Sequence, residues 1–159
     1  MRHFILIITA VLLLPVTLGA QGKVVDKSGS RPIWVKKDIS PSEYGIDAVI
    51  LSGTSTVSLD DAKEKIISGL REEVIGKIAG FVVNMSMDGT PDEASAMAKA
   101  ARTPLARGIS ADAAIETYWE KRYDRKSDTY TYCVYMLYGI DELQIKRAAM
   151  DILTESEIF

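Results

Sequence analysis

A long helix with a single apolar side is the feature that most constrains how this chain can fold. The segment 58–80, "SLDDAKEKIISGLREEVIGKIAG", carries apolar side chains at helical spacing. They stand at positions 62, 66, 67, 70, 74, 75 and 78. Ser58 suits the N-cap, and Asp61 three residues later forms an imperfect capping box with it. Because only one side is apolar, the helix must lie against another layer with its back to solvent.

A tyrosine-rich hairpin is predicted to supply that layer. Residues 113–123 and 129–139 are rich in β-forming side chains, and the polar link "DRKSD" between them is typical of a five-residue hairpin loop. Side chains alternate between the two faces of a strand. The face that carries Trp119 is therefore predicted to be buried. The opposite face of residues 113–123 is predicted to be exposed to solvent. It holds Glu116, Tyr118, Glu120 and Arg122.

The remaining segments complete an α+β pattern. Residues 44–56 predict a strand. Residues 90–108 predict an alanine-rich helix that Thr90 caps and that ends before Pro104, with a flexible surface connection as the alternative. Residues 81–89 fit either a strand or one more helical turn, and we favour the strand. Residues 141–159 predict a C-terminal amphipathic helix. This order predicts an antiparallel sheet with the long amphipathic helix and the C-terminal helix packed on one face.

The N-terminus has the layout of a secretory signal peptide. Residues 1–20 begin with a positive charge, continue with an apolar run over 4–14 and end in small residues. The run is shorter than the roughly 20 residues that span a membrane. We predict a signal peptide over 1–20 that is cleaved after Ala20, with Gly19 as the alternative. An uncleaved N-terminal anchor is the other interpretation.

The rest of the chain divides into a leader and one domain. Residues 21–31 are polar and contain Gly and Ser, and they are predicted to be a flexible leader. Residues 32–159 are predicted to be a single α+β domain, because their number is ordinary for one. At the start of this domain, Trp34 and its apolar neighbours predict a short edge segment or an anchor tucked onto the body. Pro32 favours extended backbone before it.

Composition excludes several classes of function. The net charge is −3, which makes the chain a poor default partner for nucleic acid. His3 is the only histidine and lies in the predicted signal peptide, so the mature chain has no imidazole for catalysis or zinc binding. No phosphate-binding, dinucleotide-binding or calcium-loop motif is present, and we predict no cofactor and no metal site. Cys133, the only cysteine, is predicted to be buried among apolar strand residues.

Three stretches resemble a known family. They are "RPIWV" at 31–35, "SLDDAKEKIISGLREEV" at 58–74 and "YWEKRYDRKSDTYTYCVYMLYG" at 118–139. Together with the signal peptide they resemble the LPP-twenty family of bacterial envelope proteins, and in particular its secreted versions from Gram-negative bacteria. The resemblance covers 31–156. It implies an α+β domain, a periplasmic or outer-membrane setting and no established enzymatic activity. This chain lacks the family's lipid-bearing cysteine, so no lipid anchor is expected.

These observations lead to one functional hypothesis and two alternatives. The chain is predicted to be a non-enzymatic envelope module that binds a protein or a surface component. The predicted contact surface consists of Trp34, Tyr118, Glu120, Arg122, Tyr130 and Tyr132. One alternative is a carboxylate-only hydrolase acting on glycan, which predicts two carboxylates within about 10 Å in a deep pocket. The other is a carrier of a small apolar ligand, which predicts a cavity under the helix of 58–80. The sequence leaves the oligomeric state open.

Overall fold

Four antiparallel strands form the sheet of this protein in a computed structural model that describes residues 22–36, 49–86 and 92–157. The strands are β1 (Lys23–Lys27), β2 (Val49–Ser55), β3 (Glu116–Asp124) and β4 (Thr129–Tyr138). Their order across the sheet is β1-β3-β4-β2, so the β3–β4 hairpin is central and β1 and β2 are the edges. The predicted signal peptide, residues 1–20, lies outside the described residues.

Helices cover both faces of the sheet. They are α1 (Ile33–Lys36), α2 (Leu59–Met85), α3 (Glu93–Ala100), α4 (Pro104–Gly108) and α5 (Glu142–Glu157). The long α2 and the C-terminal α5 pack on one face, which confirms the predicted α+β class. The short α1 packs on the other face through Trp34, so this segment is a helix and an anchor rather than an edge strand.

The helix α2 follows the predicted apolar stripe and runs beyond it. The Ser58 hydroxyl accepts a hydrogen bond from the Asp61 amide, as expected of an N-cap. The prediction of a strand after residue 80 is wrong as far as Met85, because Val82 continues the buried stripe and is only 2% exposed. Residues 87–89 lie outside the described part. Within that part, no helix combines the length and apolar character needed to cross a bilayer.

The alanine-rich segment forms two helices with different caps. Asp92 caps α3 through its side chain, whereas the predicted cap, Thr90, lies outside the described residues. Pro104 stands at the start of α4, where its missing N–H costs nothing, and the Thr103 hydroxyl caps that helix. Ala96, Ala100 and Ala106 are fully buried. Their small side chains let these short helices approach the core closely.

The predicted flexible leader contains an ordered strand. The structure places β1 within residues 21–31, where it pairs with β3 from Lys23 opposite Tyr123 to Lys27 opposite Glu120. The Ser28 amide extends this pairing by donating to the Trp119 carbonyl at 3.0 Å. Without β1, the backbone N–H and C=O groups on the outer side of β3 would lack strand partners. The pairing with β1 supplies hydrogen bonds to these groups.

Two further boundaries differ slightly from the prediction. The strand predicted over 44–56 is observed as β2, and residues 44–48 lie outside the described part. Four residues, Arg125–Asp128, link β3 to β4 where five were predicted, because the strand pairing includes Asp124 opposite Thr129.

The main core lies between α2 and the sheet, and Gly53 sets their distance. A Cβ atom on Gly53 would lie 2.7 Å from Ile66 Cγ1 and 3.1 Å from the Ala62 carbonyl. The glycine therefore lets α2 lie close to β2. Leu51, Val134 and Met136 of the sheet meet the buried stripe of α2 in this core.

Candidate binding surface on the hairpin

The strand register separates the six residues of the predicted contact surface. Tyr118 lies opposite Tyr135 on β4, and Glu120 lies opposite Cys133. These side chains and that of Arg122 point away from α2, toward Trp34 of α1. Tyr130 and Tyr132 lie opposite Tyr123 and Lys121 of β3. Because side chains alternate along a strand, Tyr130 and Tyr132 point to the α2 face instead. The six residues therefore do not form one surface.

Trp34, Tyr118, Glu120, Arg122 and Leu137 form what we call the second-face cluster. Trp34 and Tyr118 are each 3% exposed, and Glu120 is 2% exposed. The prediction that this face is wet is wrong at Tyr118 and Glu120. At Tyr118 the reason is α1, which was not predicted as a helix and whose Trp34 packs against Tyr118 and Leu137; Glu120 is enclosed with Arg122 and Tyr118 as its hydrogen-bond partners.

Hydrogen bonds satisfy the polar groups of the second-face cluster. Glu120 Oε1 accepts from Arg122 Nε at 2.7 Å and also from Arg122 Nη2. The Tyr118 hydroxyl donates to Glu120 Oε2 at 3.3 Å. At the edge of the cluster, Trp34 Nε1 donates to Glu116 Oε2 at 2.7 Å. A buried carboxylate needs such partners, because an unpaired charge is very costly away from water.

Burial favours the neutral forms of the tyrosine and cysteine side chains near the cluster. It raises the pKa of the Tyr118 and Tyr135 hydroxyls above their ordinary value, and the neighbouring Glu120 carboxylate acts in the same direction. Burial also raises the pKa of the Cys133 thiol, which confirms the predicted buried cysteine. A buried thiol with a raised pKa is a poor nucleophile. The arrangement is that of a structural network.

Arg31 lies against the same face of the sheet. Its guanidinium carbon lies 5.8 Å from the centroid of the Tyr135 ring, within the range of a cation–π contact. Among the residues that the structure describes, the buried Arg31 Nε atom has no hydrogen-bond partner. The ring of Tyr135 thus shields part of this cation from water.

Lys121, Tyr123, Tyr130 and Tyr132 form a second group, which we call the hairpin-end patch. They share the α2 face, with Lys121 opposite Tyr132 and Tyr123 opposite Tyr130. The rings of Tyr123 and Tyr130 have centroids 4.9 Å apart. Lys121 Nζ lies 4.5 Å from the Tyr130 ring and 5.2 Å from the Tyr132 ring. The patch is therefore an ordered set of aromatic rings around one cation.

The hairpin-end patch is accessible because β4 extends past its neighbour β2, whereas β1 still pairs with β3 as far as Tyr123. The pairing of β2 with β4 ends at Ser55 opposite Tyr132, so the residues of β4 before Tyr132 have no β2 neighbour. The helix α2 packs over β2 and over the part of β4 that follows Tyr132. Tyr130 is consequently 48% exposed, whereas Tyr132 borders the main core.

The turn fixes the end of the patch. The Tyr123 hydroxyl donates to Asp128 Oδ1 at 2.7 Å, and this hydrogen bond to a carboxylate raises the pKa of Tyr123. Asp128 has a φ of 51°, a left-handed conformation that Asp tolerates in turns. The Asp124 carboxylate accepts from the Lys126 amide at 2.9 Å and from the Ser127 hydroxyl at 3.0 Å. The turn thus fixes the position of the Tyr123 ring, against which the Tyr130 ring packs.

Sequence reasoning found half of this patch. Tyr130 and Tyr132 were in the predicted surface, but Lys121 and Tyr123 were assigned to the face expected to be buried. Pairing the two runs across the turn would have placed all four side chains together. The alternation of side chains alone does not show how far the helices extend over the α2 face of the sheet.

Metal-ligand sets and known relatives give no further assignment. In the described parts of the chain, no group of three or more His, Cys, Asp or Glu side chains is placed to hold a metal ion. Comparisons with protein-family models, with curated proteins and with solved structures found no match.

Proposed function

We propose that this protein is an exported, non-enzymatic module of the bacterial cell envelope that binds another envelope protein or a surface component through the hairpin-end patch. The observation that carries the proposal is the exposure of Tyr130 within an ordered aromatic group. The layout of residues 1–20 supports export, and the resemblance of 31–156 to the LPP-twenty family supports an envelope setting. The absence of a cysteine at the predicted cleavage point favours a protein without a lipid anchor.

Pre-ordering makes the patch suitable for binding. Tyrosine is enriched among the side chains that dominate interface energies, because it offers a large rigid area with few rotatable bonds. Here Tyr123 and Lys121 already restrict the ring of Tyr130. A partner that covers Tyr130 would therefore lose little side-chain entropy on binding.

The chemistry of the carboxylates supports the non-enzymatic part of the proposal. Glu120 is bound to Arg122 and Tyr118, and Glu116 accepts from Trp34, so both carboxylates on this face have structural partners. At 2% exposure the Glu120 carboxylate is not placed to reach a substrate proton within about 3 Å, as a general acid or base must be. No observation favours the hydrolase or the apolar-ligand carrier over the binding module.

Site-specific photo-crosslinking in the native host tests the proposal. A benzophenone amino acid replaces Tyr130 in one strain and Ile115 in another. Ile115 is the matched control, because it is 49% exposed and precedes β3 at the opposite end of the hairpin. We expect a discrete adduct from position 130 and none of the same mass from position 115. Digestion of the adduct with a protease or with a muramidase distinguishes a protein partner from a glycan component.

Two outcomes would count against the proposal. One is the absence of any adduct at position 130 in a protein that is correctly folded and exported. The other is the same adduct pattern from both positions, which would indicate nonspecific collisions. A further check uses Tyr130→Ser in the otherwise unchanged protein, in which a crosslink from a neighbouring position of the patch should disappear.

A further inference from the structure

The two edges of the sheet differ in how they are protected against pairing with another chain. The edge strand β1 carries Lys23, Asp26 and Lys27, and its register shifts between Val24 and Asp26. Charged side chains and a bulge are the devices by which edge strands avoid adding a further strand. The outer edge of β1 is therefore protected.

The outer edge of β2 has neither device. Its sequence, "VILSGTS", contains no charged residue and no proline. All seven residues pair with β4 in continuous register, from Val49 opposite Tyr138 to Ser55 opposite Tyr132. Within the described part of the chain, the backbone of β2 is hydrogen-bonded only to β4. An uncharged edge with continuous register is a template for another strand.

We infer that two copies of this protein pair through β2. Antiparallel pairing about a two-fold axis perpendicular to the sheet would join the two sheets into one of eight strands. This symmetry keeps α2 of both copies on the same face. It also leaves β1 as the only free edge of each copy, and β1 is the protected one.

The β2 edge is self-complementary, and for this reason we infer that the strand pairing with it is β2 of a second copy. A two-fold interface places each residue opposite a residue of the same strand, so any charge at its centre would meet its own like charge. In the register that pairs all seven residues of β2, Ser52 lies opposite its own counterpart and Ile50 opposite Thr54. Each of these pairs is uncharged, and Ile50 and Thr54 are both β-branched, which suits cross-strand packing.

The size of the contact sets the expected affinity. One seven-residue strand pair buries less than the roughly 1,200 Å² of a standard stable interface. We therefore expect a dimer that dissociates on dilution rather than an obligate one. The dimer uses an edge of the sheet that is distinct from the hairpin-end patch, so the inference is independent of the proposed function.

Analytical ultracentrifugation of the mature protein over a wide concentration range tests the inference. We expect the wild type to change from monomer to dimer as the concentration rises. The variant Ser52→Lys should remain monomeric, because two ammonium groups would meet at the two-fold axis; Ser52 is exposed, so the fold should survive. Mixing Ser52→Lys with Ser52→Glu should restore a dimer. The matched control, Val25→Lys on the exposed β1 edge, should dimerise as the wild type does.

Amide hydrogen exchange provides a second measurement that does not depend on a variant. Exchange of the outward amides of β2 should slow as the concentration rises, while exchange in β1 stays constant. A wild type that is monomeric at every concentration, or a Ser52→Lys variant that dimerises as well as the wild type, would overturn the inference. Protection of β2 amides at all concentrations in a monomer would also overturn it, because the chain itself would then cover the edge.

Discussion

The two faces of the β3–β4 hairpin carry similar side chains in opposite environments. The second-face cluster and the hairpin-end patch each combine tyrosines with a basic side chain, Arg122 in the first and Lys121 in the second. In the cluster, Tyr118 is 3% exposed, and in the patch, Tyr130 is 48% exposed. Composition therefore does not decide which tyrosines are available to a partner. The neighbouring elements decide it.

A four-residue helix accounts for much of this difference. The helix α1 packs Trp34 against Tyr118 and Leu137 of the second face, and the buried Glu120 carboxylate beside Tyr118 has Arg122 as its partner. Among residues 22–36, 49–86 and 92–157, no helix packs on the hairpin end, and the basic group there, Lys121, contacts the faces of the Tyr130 and Tyr132 rings. The same residue types thus form a buried ion pair in one place and an aromatic platform in the other.

The largest expected effect comes from removing the cover of the second face. Trp34→Ala should lower the free energy of unfolding by about 3–5 kcal/mol, the range seen when a buried large aromatic side chain is truncated. Urea unfolding followed by circular dichroism measures the change. Trp34→Phe is the control, because it keeps most of the buried area and loses only the bond to Glu116. A loss below about 1 kcal/mol for Trp34→Ala would mean that α1 does not cover this face in solution.

Breaking the buried ion pair is expected to cost somewhat less. Arg122→Ala leaves the 2% exposed Glu120 carboxylate with the hydrogen bond from the Tyr118 hydroxyl. Because the Arg122 side chain is itself 19% exposed, we expect a loss of about 3 kcal/mol, the low end for breaking a buried pair. The double variant Glu120→Met with Arg122→Met should recover most of that loss, since apolar replacement of both partners is often neutral. Equal losses in the single and double variants would contradict an ion pair and indicate a packing role alone.

Much of the architecture could be predicted from local patterns. The α2 stripe and the Ser58 cap identified the long helix, and the alternating runs around "DRKSD" identified the hairpin. These elements are long and strongly periodic, so their signal survives without tertiary information. The end of α2 was harder, because Phe81 to Met85 fit both periods and only burial against the core selected the helix.

The candidate site was less predictable because its exposure depends on short elements. The helix α1 has four residues and β1 has five, and neither is long enough to show a period. Both follow from contacts that are distant in sequence, such as Trp34 with Glu116 and Ser28 with Trp119. The buried state of Tyr118 and Glu120 could not be predicted without them.

Alkaline pH should weaken the protein through its buried tyrosines. The pKa values of Tyr118, Tyr135 and Tyr138 are raised in the folded state, first by burial. A raised folded-state pKa means that the stabilisation is complete below the unfolded value of about 10 and is lost as the pH rises above it. Urea midpoints measured from pH 7 to 11 should fall at the alkaline end. The fall should be smaller in Tyr118→Phe than in Trp34→Phe, which removes no titrating group; identical falls would contradict the buried state of Tyr118.

The smallest change in stability is expected at the hairpin-end patch, in contrast to the large loss expected in the second-face cluster. Tyr130→Ala removes a half-exposed ring whose contacts are the Tyr123 ring and the Lys121 ammonium, so the free energy of unfolding should fall by no more than about 1 kcal/mol. The same urea experiment measures it beside Trp34→Ala. Losses of equal size in the two variants would mean that the patch belongs to the core, and a binding role for it would have no basis. A small loss together with a loss of the position-specific crosslink would separate the two regions, because stability would then depend on the covered tyrosines and binding on the exposed one.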